Sequence, residues 1–174
     1  INYAFNPETT LKSTDYKDGE GGGGGGGTIT PSPDEPENIY SANFTSGKGG
    51  CTEKIVKNES SNPSIWKQDS QFGWKGTSYS NDKNHVADAY LYLPEIDLTD
   101  YRHATLTINQ AINFAKGNAL KYLSVEATVK DSETGEDIVS KLPDLAVPSK
   151  DGWDFADYDL DLSQYCGGKV KLAF

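Results

Sequence analysis

The chain has 174 residues, a formal net charge of −10 and 11% aromatic side chains, enough for one domain with an appendage. Phosphate binding needs a basic stripe, and 16 Lys and Arg spread among 26 Asp and Glu supply none, which excludes nucleic acid as a partner. No apolar run reaches the ~20 residues of a membrane-spanning helix and no leader-like segment is visible. Ile1 at one end and Phe174 inside a strand-like run at the other suggest a piece of a longer polypeptide.

Residues 1–18, "INYAFNPETTLKSTDYKD", are too short to enclose a core and read as the tail of a preceding domain. Residues 19–37 read as a linker. Seven consecutive glycines have no side chains to bury and behave as a flexible coil spanning ~15 Å root-mean-square. Pro31, Pro33 and Pro36 then stiffen the chain toward polyproline II. A phosphate-cradling role for the glycines fails, because no Lys-Ser/Thr follows them. The neighbouring domain of the same polypeptide is thus an expected partner.

From residue 38 to 174 the pattern has period two. In "ATLTINQAINF" the apolar Leu106, Ile108, Ile112 and Phe114 alternate with Thr105, Thr107, Asn109 and Asn113, as in a strand with one buried face. "LSVEATV" repeats this through Leu123, Val125, Ala127 and Val129, and "KVKLAF" through Val170, Leu172 and Phe174. Further strands are expected at "IYSANF", "EKIVK", "SIWKQ", "VADAYLYL" and "WDFADYDL", with turns at "SGKGG", "NESSNP", "KGN", "DSETGED" and "KDG". No stretch of ten or more residues keeps helical spacing. Eight or nine short strands so punctuated predict an all-β fold, a two-sheet antiparallel jelly-roll β-sandwich.

The pentamer "DLTDY" at Asp97–Tyr101 returns as "DLSQY" at Asp161–Tyr165, each time just before a strand. In each copy the Asp can accept backbone N–H bonds, the Leu can point inward and the Thr or Ser can cap the turn. Such corners carry a jelly-roll chain from one sheet to the other.

Cys51 and Cys166 lie 115 positions apart and form no CxxC, and two histidines are too few for a zinc site. A disulfide between them would restrict the unfolded chain by ~4 kcal/mol and would place the domain outside a reducing cytoplasm. Two unrelated buried thiols are the alternative. "NFT" at Asn43 and "NES" at Asn58 match the N-glycosylation pattern, which matters only in a eukaryotic secretory setting.

The order of these features from Glu37 to Phe174 resembles the choice-of-anchor J family, relatives of the cleaved-adhesin domains of Bacteroidetes-type surface lipoproteins. "YLYLPEIDL" is similar to that family's "WLxSPxIDL", with Tyr90 in place of Trp and Leu93 in place of Ser. "DLDLSQY" and "VKLAF" are similar to its closing "IDLSxY" and "VxIAF". The resemblance implies a jelly roll of the galactose-binding-like or MAM-like kind and an extracellular or outer-membrane-surface location. It further implies a non-catalytic adhesion or carbohydrate-binding role toward a glycan or a host or matrix surface. A structural spacer or assembly domain without a small ligand is the alternative, and a glycan-processing hydrolase the third reading.

Sugar-binding sites stack apolar sugar faces on flat rings while amides and carboxylates bond the hydroxyls. Trp74, Tyr79 and Trp153, with Asn81 and Asp82, form the candidate patch; Trp66 and Asp69 adjoin it, Trp66 being expected mainly in the core. Asp157, Asp159 and Asp161 alternate along one strand and share a face that could hold a hard cation, although a solvated acidic face is the simpler reading. The jelly-roll resemblance adds Asn43 and Asp88 to Asp157 and Asp159 as candidate ligands of a structural calcium. No cofactor is required. Neither His85 nor His103 stands in a recognisable triad and no spacing singles out a pair of catalytic carboxylates, so no enzyme is expected.

Overall fold

The computed structural model describes residues 2–5, 8–13, 37–142 and 151–174, the first two of these segments by backbone alone. The described residues form fifteen strands, in chain order β1 (Asn2–Phe5), β2 (Glu8–Ser13), β3 (Glu37–Asn43), β4 (Thr52–Asn58), β5 (Trp66–Asp69), β6 (Gly73–Thr77), β7 (Tyr79–Ser80), β8 (Lys83–Asn84), β9 (Ala87–Tyr92), β10 (Ile96–Asp97), β11 (Thr105–Asn113), β12 (Glu126–Lys130), β13 (Asp137–Lys141), β14 (Ala156–Asp161) and β15 (Lys169–Ala173). Among the described residues the α-helix is a single turn, α1 (Ala119–Tyr122). The fold is all-β and its sheets are antiparallel, as the period-two pattern demands.

One sheet centres on β11, whose 9 residues make it the longest described strand. Along one edge it pairs with β14, from Thr105↔Asp161 to Gln110↔Ala156. Along the other it pairs with β2 at Thr105–Thr107 and with β1 at Gln110–Asn113. β3 continues from β2, and β6 and β5 continue from β1. The second sheet runs β13-β12-β15-β9-β4, with β10 beside β15.

Two segments depart from expectation. Asn2–Phe5 and Glu8–Ser13, read from sequence as the tail of another domain, are strands of the β11 sheet. A four-residue and a six-residue strand cannot hold a core alone, but they need not when a long central strand supplies the partner edge. The expected linker lies outside the described residues except for Glu37, which opens β3.

Both sheets feed one buried cluster. Leu106, Ile108 and Ile112 from β11 meet Leu91 from β9, Ala127 from β12, and Val170 and Leu172 from β15, all at 1% exposure or less. Leu123 and Val125 are buried as their alternation predicts, although the strand there begins only at Glu126. Phe114 breaks the pattern. It follows the last residue of β11, takes a φ of +64° and stands 62% exposed.

The repeated pentamer closes two equivalent corners. The Asp97 carboxylate accepts from the Thr99 amide and hydroxyl at 3.0 and 2.6 Å, and the Asp161 carboxylate accepts from the Ser163 amide at 2.9 Å. These bonds, led in each case by the hydroxyl of Thr99 or Ser163, hold both carboxyls below the usual range. Leu98 and Leu162 point inward and are fully buried. The two corners also bond each other: the Leu98 N–H donates to the Gly168 carbonyl and the Leu162 N–H to the Ala104 carbonyl, both at 2.8 Å. Gly168 stands in the second copy where Ala104 stands in the first, so the contact is reciprocal.

Glycine is required where the chain turns into β4. Gly49 has a φ of +58°, and a Cβ there would fall 2.6 Å from Phe44 Cε1. The Tyr40 hydroxyl donates to the Gly49 carbonyl at 2.9 Å and fixes the turn.

Leu162→Ala removes a fully buried side chain from a corner and is expected to cost ~2–5 kcal/mol, seen as a lower urea midpoint at unchanged slope. A loss below ~1 kcal/mol would show that the corner does not carry the core.

Candidate binding groove

The aromatic rings anticipated as a sugar platform divide between core and surface. Trp66 and Trp74 are 6% and 3% exposed. The Trp66 indole N–H donates to the Ala89 carbonyl and the Trp74 indole N–H to the Lys48 carbonyl, each at 3.2 Å. Trp74 therefore leaves the candidate patch. It lies on β6 with its ring in the buried core cluster. Trp153 is half-buried and stacks on Phe72 with centroids 5.2 Å apart. Asp69 shapes the turn that presents Phe72, accepting from the Gln71 and Phe72 amides at 2.7 and 3.0 Å, which lowers its carboxyl pKa.

Tyr79 is exposed, on the two-residue hairpin of β7 and β8. Asn81 and Asp82 form its turn with φ values of +50° and +62°, the mirror-image turn that suits a right-twisted hairpin and tolerates Asn and Asp. The Asn81 amide donates to the Ser61 hydroxyl at 3.3 Å. These three residues stand together, and Asn84, across from Tyr79, lines a groove.

That groove encloses about 890 Å³. Its lining includes Ala87 to Tyr90 of β9, Tyr122 to Ser124 with Glu126, and Trp66, Gly76, Ile112 and Ala115. Gly76 matters here. A Cβ on it would lie 3.0 Å from the Trp66 ring, which covers it from the neighbouring strand. Phe114 and Tyr122, 62% and 59% exposed, stand on the lining with Asn84, Asp88, Asn118 and Glu126 among them.

The loop that lifts Phe114 is strained and pinned. Phe114 and Lys116 both take positive φ, which costs a non-glycine residue ~1–2 kcal/mol. The Phe114 amide donates to the Asn113 side chain at 2.8 Å and the Lys116 amide to the Asp151 carboxylate at 2.7 Å. On the outer face of β9, Tyr90 and Tyr92 stack at 5.8 Å, with the Lys171 ammonium 4.7 Å from the Tyr92 centroid. Glu126 beside Tyr90 raises its phenol pKa. Sequence reasoning missed Phe114, Tyr122, Tyr90 and Tyr92. For Tyr90 and Tyr92, "AYLYL", with a large or apolar residue at every position, was the available signal, because a strand with one wet face does not need such residues on both sides.

The candidate calcium ligands do not converge. The Asp157 carboxylate accepts from the Asn109 amide and that of Asp159 from the Thr107 hydroxyl, each at 2.6 Å, as cross-strand pairs between β14 and β11. Asn43 accepts from the Thr45 amide and hydroxyl and closes the turn after β3. Asp88 is on β9, across from Lys57. Among the described residues no three His, Cys, Asp or Glu side chains gather to hold a metal ion.

The expected disulfide is likewise absent: Cys51 and Cys166 are not joined. Cys51 is a buried thiol between Tyr40 and Trp74. Burial pushes its pKa up to about 11, against smaller lowering by hydrogen bonds from Tyr40 and Trp74. Burial also raises the Tyr40 phenol, with Cys51 adding to the effect.

Comparison with family models, with curated proteins and with solved structures finds no match for this chain.

Because the unfolded thiol ionises near its ordinary value of 9.0 and the folded one near about 11, the native state keeps its proton longer. This contribution to stability is complete below pH 9 and is lost as the pH rises through the folded value. Urea titrations of wild type and Cys51→Ser from pH 8 to 11 are expected to show a steeper alkaline loss in the wild type. Equal slopes would exclude the linkage.

Proposed function

We propose that this chain is a non-catalytic carbohydrate-binding or adhesion module of a bacterial surface or secreted protein, with a jelly-roll sandwich as its scaffold, in keeping with the resemblance to choice-of-anchor J domains. The observation that carries the reading is Phe114. A large apolar ring is held in solvent by a strained, hydrogen-bonded loop on a groove whose lining also includes a second exposed ring, amides and carboxylates. Stored strain of this kind concentrates at binding sites. The mixed lining suits a sugar, whose ring faces are apolar and whose edges carry hydroxyls. A role without catalysis is supported by the raised Cys51 thiol, a poor nucleophile at neutral pH, and by His85, whose Nε2 lies 3.1 Å from the Ser80 carbonyl. No metal enters this reading.

A structural or assembly role is the second reading. It is favoured by the burial of Trp74 and by the pairing of Trp153 with Phe72, which commit two expected platform rings to packing, while Trp66 beside them is buried as expected.

Immobilised glycans separate the two. Phe114→Ala and Tyr122→Ala, both at exposed positions, are expected together to weaken glycan binding at least about tenfold with the melting temperature unchanged. Failure of the chain to bind any glycan, or binding indifferent to both substitutions, would remove the sugar reading.

A further inference from the structure

Among the described residues the six-stranded sheet ends at β4 and at β13, and these two margins are built differently. At β4 the pairing with β9 shifts between Ile55 and Lys57, so Val56 is an extra residue, and Lys54 and Lys57 flank it. A bulge and edge lysines are the usual guards against strand addition. β13 has neither in its middle. Its register with β12 is regular across all five pairs, and every one of its residues is exposed, including Ile138 at 48% and Val139 at 57%. Among the described residues it pairs with a strand on one side only.

The free side of β13 can be assigned residue by residue. The Leu142 N–H donates to the Val125 carbonyl and the Asp131 N–H to the Glu136 carbonyl, so the even-numbered positions direct their backbone groups to β12. Asp137, Val139 and Lys141 therefore turn theirs outward. This set of three is its own complement. Laid antiparallel on itself about Val139, it sets Asp137 against Lys141 twice and Val139 against Val139, with every outward N–H facing a carbonyl. The neighbours on β12 extend the match, because Lys130 bonds Asp137 at 2.6 Å and Glu126 stands across from Lys141. A row crossing both copies would read Lys130, Asp137, then Lys141 and Glu126 of the second copy, alternating in sign at each step. Opposite charges directly across a ladder stabilise it and like charges oppose it.

We propose that β13 is a self-recognition edge through which two copies of this chain pair antiparallel about Val139, joining their six-stranded sheets into one. The inference is independent of the saccharide reading, since β13 does not line the groove.

Sedimentation equilibrium of the full 174-residue chain over a concentration series tests it. The wild type is expected to dimerise reversibly. Val139→Pro, which removes an outward N–H and no bond to β12, is expected to abolish the dimer at unchanged melting temperature. Asp137→Lys sets Lys against Lys across the pair, and Lys141→Asp sets Asp against Asp. Each alone is expected to weaken self-association at least about tenfold. An equimolar mixture of those two variants restores complementarity at both contacts and is expected to form a one-to-one heterodimer. A wild type that stays monomeric, a dimer untouched by Val139→Pro in the folded variant, or a mixture that fails to associate would each overturn the proposal. Should the proline variant unfold, the mixture alone decides.

Discussion

The molecule hangs on a reciprocal pair of backbone hydrogen bonds. Leu98 donates to the residue that launches β15, and Leu162 to the residue that launches β11. Those two strands are the middle of their respective sheets, so this one junction sets where both sheets begin and how they face. Each Leu is held by an acidic side chain capping its own turn, and each drops its side chain into the core. The second spelling of the pentamer is thus a matter of geometry. Two crossings between sheets, made side by side, satisfy each other's backbone groups where neither could do so alone.

At the flank formed by β4, β5 and β9 the sheets are joined by side chains instead. The Glu53 carboxylate on β4 accepts from the Ile65 and Trp66 amides at 2.8 and 2.7 Å and from the Ser64 hydroxyl, so the start of β5 is tied to the other sheet. The Trp66 indole then reaches Ala89 on β9 while its ring covers Gly76 on β6. Trp66, itself on β5, thereby touches β4, β6 and β9, and it also lines the groove. The groove adjoins this flank, because Trp66 and β9 both contribute to its lining.

Period two made the main strands legible. The alternation at 106, 108 and 112 and again at 170 and 172 placed the inner face correctly, because each such strand has one dry side and a one-residue slip would reverse every side chain. The roles of the first 13 residues were not legible. Their partner edge on β11 lies about a hundred positions away, and nothing local in "INYAF" or "ETTLKS" announces it. The aromatic assignments failed for a related reason. Trp74 sits beside a turn-rich segment, yet its strand runs down the interior, and a turn nearby says little about which way a ring points. Phe114 failed in the opposite sense: alternation carries it inward, and one left-handed residue after the end of β11 throws it out.

Departures from the repeating pattern are therefore where the surface acquires character. β9 keeps Leu91 inward and places Tyr90 and Tyr92 outward, so a single strand supplies core on one side and stacked rings on the other. The loop after β11 takes up backbone strain, held by hydrogen bonds to Asn113 and Asp151, and so keeps a phenylalanine in water. β13 leaves an unbulged, self-complementary edge in the sheet whose other margin is guarded by a bulge and lysines. A sheet that must merely stay soluble has reason to guard both margins. Guarding one and matching charges on the other separates the face that could take a ligand from the edge that could take a second copy.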